Sequence, residues 1–399
     1  MTNSILHVSG DFPDPIEPFK TPVIKSLLEL TAQAFDHRVV SINRTTPSPS
    51  KLASHLFGSV GASDIAQNEQ LFKFGTALEY IAPSRGIFHR TMLERLGEHL
   101  ANLINAQEVP FELLVGHKLT IEGIAVAKAA KLTGLPYALT IQGNTDRRIL
   151  KARPDLRGHF RSIYLNAKTV CSFTPIAKNA IEEMLGKRTD DIALIPCPTE
   201  LDTIISPKVS RGDIISVFHL KNYAVKNLTN LAAAATRLTG EEGKRRITIL
   251  GGGNAKDLAN CEAIAKQAGQ IRFGGPVARE EMQEQMNKAC ALVLPSRAES
   301  FGLVFVEALF AGLPIIYPKG TAIDGYFDGL QFAQGVDANS PGAIAEAIGR
   351  AVREEETMKE ALCEWQGSSE AEMFTRAAIA EKYQAALYSA LDKQPKSVL

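Results

Sequence analysis

Two glutamates, Glu299 and Glu307, bracket a helix start in ALVLPSRAESFGLVFVEALFAGLPIIYP, residues 291–318. The helix should run from about Gly302 to Phe310, because Gly312 and then Pro314 form a stop signal. A helix N-terminus offers free backbone N–H groups and a partial positive charge, which suits a phosphate. Gly302 removes the side chain where a ligand would approach the backbone. Carboxylates beside such a start repel a phosphate, yet they accept hydrogen bonds from hydroxyls on either side of it, those of a sugar and a ribose. The plain alternative, an N-cap acid followed by a solvated helix glutamate, fits the same two residues. Further upstream the run Gly251-Gly252-Gly253 closes a strand, where a nucleotide could lie against the backbone. Tight turns use glycine runs as well.

The elements that would carry these residues alternate between strand and helix. The apolar run Ala291–Leu294 and the strand Ile315–Tyr317 flank the helix, so the turn lies at the carboxyl end of a strand, where open α/β sheets bind ligands. The chain opens with a strand Ser4–Gly10, a helix Thr21–Phe35 and a strand His37–Ile42, a βαβ unit that argues for a parallel sheet. Between them the loop Asp11–Pro22 holds four prolines. Further strands read at Phe111–His117, Pro136–Ile141 and Lys168–Thr174, with helices at Ile121–Thr133 and Pro175–Leu185. In the second half, strands read at Ile214–Phe218, Arg246–Leu250 and Ile271–Val277, with a helix at Asn227–Leu238 and a long last helix at Phe374–Leu391. Residues 47–81 have little periodicity. Ile87–Ile104 is amphipathic, with Leu93, Leu96, Leu100 and Leu103 at helical spacing and Arg85, His89, Arg90 and Arg95 near its start. That basic face fits a solvated helix, and peripheral membrane contact stays open.

At 399 residues the chain predicts two domains, 1–204 and 205–370, with a terminal helical segment 371–399. Lys and Arg number 44 and Asp and Glu 44, so no global field recruits nucleic acid. The five cysteines lack metal-ligand spacing and read as thiols of a reducing compartment. No apolar run long enough to span a bilayer and no leader pattern is visible, so a cytoplasmic protein is expected.

The stretch PSRAESFGLVFVEALFAGLP resembles the signature of the family-4 retaining glycosyltransferases, nucleotide-sugar enzymes of GT-B fold. The resemblance implies two Rossmann-like domains with parallel sheets facing an interdomain cleft, and a last helix that crosses back to the first domain. It implies that Glu299 contacts the donor sugar and Glu307 the ribose. The segment Ser300, Phe301, Gly302, Leu303 and Val304 would meet sugar hydroxyls and diphosphate. Lys226 falls on the family's diphosphate lysine. His219 stands where an arginine is usual, with Lys221 nearby. Gly252 belongs to the glycine turn, and Val277 to the loop that hugs the base. On the acceptor side His117 falls on the first family histidine, Gln142 replaces the second, and Gly143 and Asp146 follow. Gly10 and Asp11 stand where a Gly-Gly pair is usual.

Glu299, His117 and Lys226 are thus the expected catalytic residues. The expected reaction is sugar transfer from a nucleoside-diphosphate sugar to a glycan, lipid-linked or small-molecule acceptor, with no cofactor and no metal. No Asp-x-Asp is present to hold one. Leaving-group charge would be stabilised by fixed dipoles and a lysine. An epimerase or phosphorylase on the same fold, and a non-catalytic binding subunit, are the rival expectations.

Overall fold

Near-continuous apolar runs build both sheets, as expected of strands covered on two faces. The computed structural model describes residues 3–46, 48, 65–83 and 88–392. Arg85 and Ile87 lie outside the described residues. The chain divides into a first unit, 1–173 with 177–198 and 377–399, and a second, 174–176 with 199–376.

Among the described residues the first unit holds eight strands: β1 (Asn3–Ser9), β2 (Phe35–Thr45), β3 (Ala66–Phe72), β4 (Gly75–Ile81), β5 (Leu113–His117), β6 (Tyr137–Ile141), β7 (Thr169–Ser172) and β8 (Ala193–Leu194). Their order is β3-β4-β2-β1-β5-β6-β7-β8. Among the described strands only β3 runs antiparallel, pairing with β4 at the edge. This hairpin comes from the segment with little periodicity, because β3 is a polar edge strand without an alternating apolar face. The first helix is shorter than its periodicity predicts, Val23–Thr31 rather than Thr21–Phe35. Phe35 instead starts β2, where it is buried and packs its ring 4.8 Å from that of Tyr388 on the last helix, Arg376–Ala390. From Ala377 onward the chain belongs again to the first unit.

The second unit is a six-stranded sheet of β9 (Ile214–Val217), β10 (Ile247–Leu250), β11 (Ile271–Gly275), β12 (Ala291–Val293), β13 (Ile315–Pro318) and β14 (Ala333–Val336). Its order is β11-β10-β9-β12-β13-β14, with every pairing parallel. The helix Leu303–Phe310 buries Phe305, Val306, Ala308, Leu309 and Phe310, so it is apolar nearly all round. Among the described residues no helix is long and apolar enough to cross a membrane.

Candidate functional site

In the second unit the flagged residues collect at the carboxyl ends of four neighbouring strands. After β12 the turn 295–302 leads into the helix through Gly302, whose φ is +84°. A Cβ there would meet the Phe305 ring at 2.7 Å, so both the left-handed backbone and the space require glycine. Glu299 lies inside this turn. Its Oε1 accepts a hydrogen bond from the Ser296 hydroxyl at 2.8 Å and pairs with the Lys226 ammonium. Its backbone is fixed too, since the Thr321 hydroxyl donates to its carbonyl at 2.7 Å.

Lys226 reaches that carboxylate because the loop after β9 is stapled to the turn after β12. Arg297 N–H donates to the Val225 carbonyl at 2.8 Å. Asn227, whose sequence carries no signal for it, is the staple. It adopts φ +60°, which asparagine tolerates better than most residues. Its Nδ2 donates to the carbonyls of Pro295 at 3.0 Å and Ala338 at 2.6 Å, and its Oδ1 accepts from Arg297 Nε at 3.1 Å. Asn227→Ala should therefore destabilise the second unit by about 3 kcal/mol, as buried carbonyls lose their donors and the left-handed residue loses its compensation. Urea denaturation checks this, and an unchanged midpoint would refute the stapling role.

Glu307 faces a different partner: its Oε1 accepts from the Thr199 hydroxyl at 2.6 Å. Burial raises its carboxyl above the ordinary value, and that hydrogen bond opposes the rise. Phe301 is buried, with its ring edge-on to Tyr326, whereas Ser300 is exposed and Leu303 and Val304 are half-buried. At the next strands Gly252 accepts from Leu220 N–H at 2.8 Å, which sets the exposed His219 beside the glycine turn. His219 Nδ1 accepts from the Lys221 backbone at 3.3 Å, and the Lys221 side chain points to solvent. Gly251 donates to the Gly275 carbonyl at 2.8 Å, two residues before the half-buried Val277. Backbone groups, a lysine and two carboxylates are thus presented along one edge of one sheet.

The first unit presents its flagged residues at the same edge of its own sheet. Gly10, after β1, donates its N–H to Glu122 Oε1 at 2.7 Å. Asp11 pairs with Lys118, after β5, at 2.6 Å. Asp146 is buried, and its carboxylate is spent inside the protein: it accepts from the backbone N–H of Leu119 at 3.3 Å and Thr120 at 2.8 Å, and from the Thr120 hydroxyl at 2.6 Å. It therefore fixes the loop after β5. Gly143 opens the helix Asn144–Ala152, and the half-buried Gln142 amide lies 3.5 Å from the Thr140 hydroxyl.

His117 has no exposed surface and closes a string of three histidines drawn from β1, β2 and β5, of which His7 is also fully buried and His37 half-buried. The Thr31 hydroxyl donates to the Leu27 carbonyl at 2.9 Å, so it must accept from His37 Nε2 at 2.8 Å. His37 Nδ1 then accepts from His7 Nε2 at 2.9 Å, His7 Nδ1 from His117 Nε2 at 3.0 Å, and His117 Nδ1 from the Thr140 hydroxyl at 3.1 Å. Every ring nitrogen is satisfied only if all three rings are neutral and carry the proton on Nε2.

Asp14, in the proline-rich loop, also escaped sequence reasoning. Burial raises its carboxyl, but hydrogen bonds from Lys20, Ser41, the Glu17 backbone and Asn43 outweigh burial and hold it at about 2.

Residues 204–362 match the family model described as glycosyl transferases group 1. The D-inositol 3-phosphate glycosyltransferase of Streptomyces griseus subsp. griseus is 33% identical over 113 residues, which are 26% of this chain and 23% of that protein. The matched stretch thus spans about a quarter of that relative's length. Among solved structures, sucrose-phosphate synthase from Thermosynechococcus elongatus superposes with a TM-score of 0.68 at 17% identity, covering 98% of this chain and 99% of the other. HepE from Anabaena, solved in complex with UDP, gives 0.62 at 11% identity, covering 97% and 100%. These likenesses are of fold.

Proposed function

We propose, from the premise that the chain belongs to the group 1 glycosyl transferases through its second unit, that it moves a sugar from a nucleoside-diphosphate sugar to an acceptor hydroxyl with retention of anomeric configuration. The observation that carries this reading is the Lys226–Glu299 pair, fixed by Ser296, Thr321 and Asn227 beside the Gly302 helix start. In this reading the Lys226 ammonium and the free N–H groups of residues 301–304 neutralise the departing diphosphate, an electrostatic device that is already in place before charge develops. Glu299 accepts from donor-sugar hydroxyls and Glu307 from the ribose. The backbone turn at Gly252, with His219 and Lys221 beside it, takes the nucleotide, and the Val277 loop takes the base.

As the sugar–oxygen bond lengthens, positive charge gathers on the ring and negative charge on the leaving phosphate. The acceptor hydroxyl attacks from the face the phosphate is leaving, and the phosphate takes its proton. We assign His117 to positioning, through the Thr140 hydroxyl that also lies near Gln142. The first unit takes the acceptor, and the cytoplasm is the expected compartment.

Lys226→Ala should weaken nucleoside-diphosphate binding by about tenfold or more, since a desolvated diphosphate loses a charge-assisted hydrogen bond. Calorimetry with UDP, GDP and ADP reads it, after thermal shift has picked the nucleotide that stabilises the protein. An unaltered dissociation constant would count against the assignment.

A further inference from the structure

The helix Leu303–Phe310 is apolar but for Glu307, and that residue is half-buried. Among the described residues no cation forms an ion pair with it, and one hydrogen bond reaches it, from the Thr199 hydroxyl to Oε1 at 2.6 Å. A half-buried carboxylate with one such partner keeps unspent acceptor capacity on Oε2, which is costly unless a ligand donates there.

The Thr199 end of that bond is fixed in direction. Thr199 is buried, and its Oγ1 accepts from the Leu201 N–H at 3.1 Å, a short turn in which the side chain stands in for a carbonyl. A hydroxyl has one proton, and with the Leu201 N–H on a lone pair that proton goes to Glu307. The turn is pinned in its own right. Gln283, on the helix Arg279–Asn287, donates from Nε2 to the carbonyls of Leu201 at 3.1 Å and Thr203 at 2.8 Å. These bonds need no glutamate at position 307, so the turn by itself does not account for the carboxylate.

Charge around the carboxyl is close to balanced. Burial raises it above the ordinary value, the Thr199 hydrogen bond opposes the rise first and the Arg279 charge second, and the Glu200 charge raises it again. Arg279 and Glu200 are exposed and pair with each other at 3.0 Å, so their fields largely cancel and the hydroxyl is what favours the ionised form. An ionised oxygen accepts charge-assisted hydrogen bonds, roughly twice as strong as those to a neutral carboxyl.

We propose that Thr199 is a positioning residue for the nucleotide: it occupies Oε1 of Glu307, leaves Oε2 to the ribose diol, and so makes the site select ribonucleoside over deoxyribonucleoside diphosphates. The inference rests on the transferase reading for the nucleotide and adds to it a residue that acts through Glu307.

The test uses the full chain and calorimetry with the nucleoside diphosphate that thermal shift selects, beside its 2′-deoxy and 2′,3′-dideoxy forms. The native chain should bind the ribose form about tenfold or more tighter than the dideoxy form. Thr199→Val, which keeps the shape and removes the hydroxyl, should lose most of that ratio while the dideoxy form binds with an unchanged dissociation constant. Its ribose preference should also fall more steeply from pH 8 to pH 6 than the native one, because the carboxyl rises further without the opposing hydrogen bond and takes up a proton sooner. Thr199→Ser, which keeps the hydroxyl, should restore both the ratio and its pH profile. Thr199→Ala gives the same readings where the valine variant does not fold. An unchanged ratio in the folded variant, a serine variant no better than the valine one, or a native chain that binds the ribose and dideoxy forms equally would each overturn the proposal and leave the transferase reading standing. A chain that bound no nucleoside diphosphate would remove both.

Discussion

Glu299→Gln is expected to lower turnover by about 10²–10³-fold, the usual loss when one preorganised electrostatic contact to a developing charge is removed. Glutamine matches glutamate in size and keeps an oxygen for the Ser296 hydroxyl, so the turn before the helix should hold its shape. It cannot carry the charge that pairs with Lys226. The dissociation constant of the bare nucleoside diphosphate should change little, because that ligand lacks the sugar that Glu299 is proposed to orient. Steady-state kinetics with the identified donor, beside a thermal melt of both proteins, separates chemistry from folding. Undiminished turnover in a folded variant would remove Glu299 from the mechanism.

Acid should unfold the first unit well above the pH at which ordinary carboxylates titrate. Burial is the first cause in each member of the histidine string: it holds His37 at about 4 and His117 at about 3, against an ordinary 6.5, and pushes His7 well below that value. A folded pKa depressed below the unfolded one means that the fold favours the neutral ring. The string's stabilisation is therefore complete above about pH 6.5 and is withdrawn as pH falls toward 4 and 3. Each ring withdraws about 1.4 kcal/mol per pH unit in that window. Glu122 works the other way, because burial raises its carboxyl to about 7 and the folded state then gains a proton below that pH. Asp146, whose carboxyl burial also raises, works with Glu122, and together they offset part of the loss from the histidines. Urea midpoints at pH 7 and pH 5 measure the loss. Equal midpoints would mean that the rings charge without cost.

The single stretch from Ala291 to Pro318 was legible because its parts lie within one βαβ turn, where strand, glycine, helix start and both glutamates follow from local spacing. The alternation of strand and helix along both halves was legible for the same reason. The hairpin of β3 and β4 was not, since a polar edge strand gains its pairing from β4 rather than from its own pattern.

What the sequence by itself determined is the two-sheet architecture and the group of residues offered along the second sheet's edge, since periodicity and short motifs express interactions between near neighbours. Only the tertiary structure decided which distant residues hold them. Asn227 and Lys226 reach the turn after β12 from the loop after β9, and Thr199 reaches Glu307 across more than a hundred positions. His7, His37 and His117 meet because β2, β1 and β5 are neighbours, and Asp146 spends its charge on Thr120. Such contacts depend on strand order and on which polar groups burial leaves to satisfy one another, and no local spacing records either.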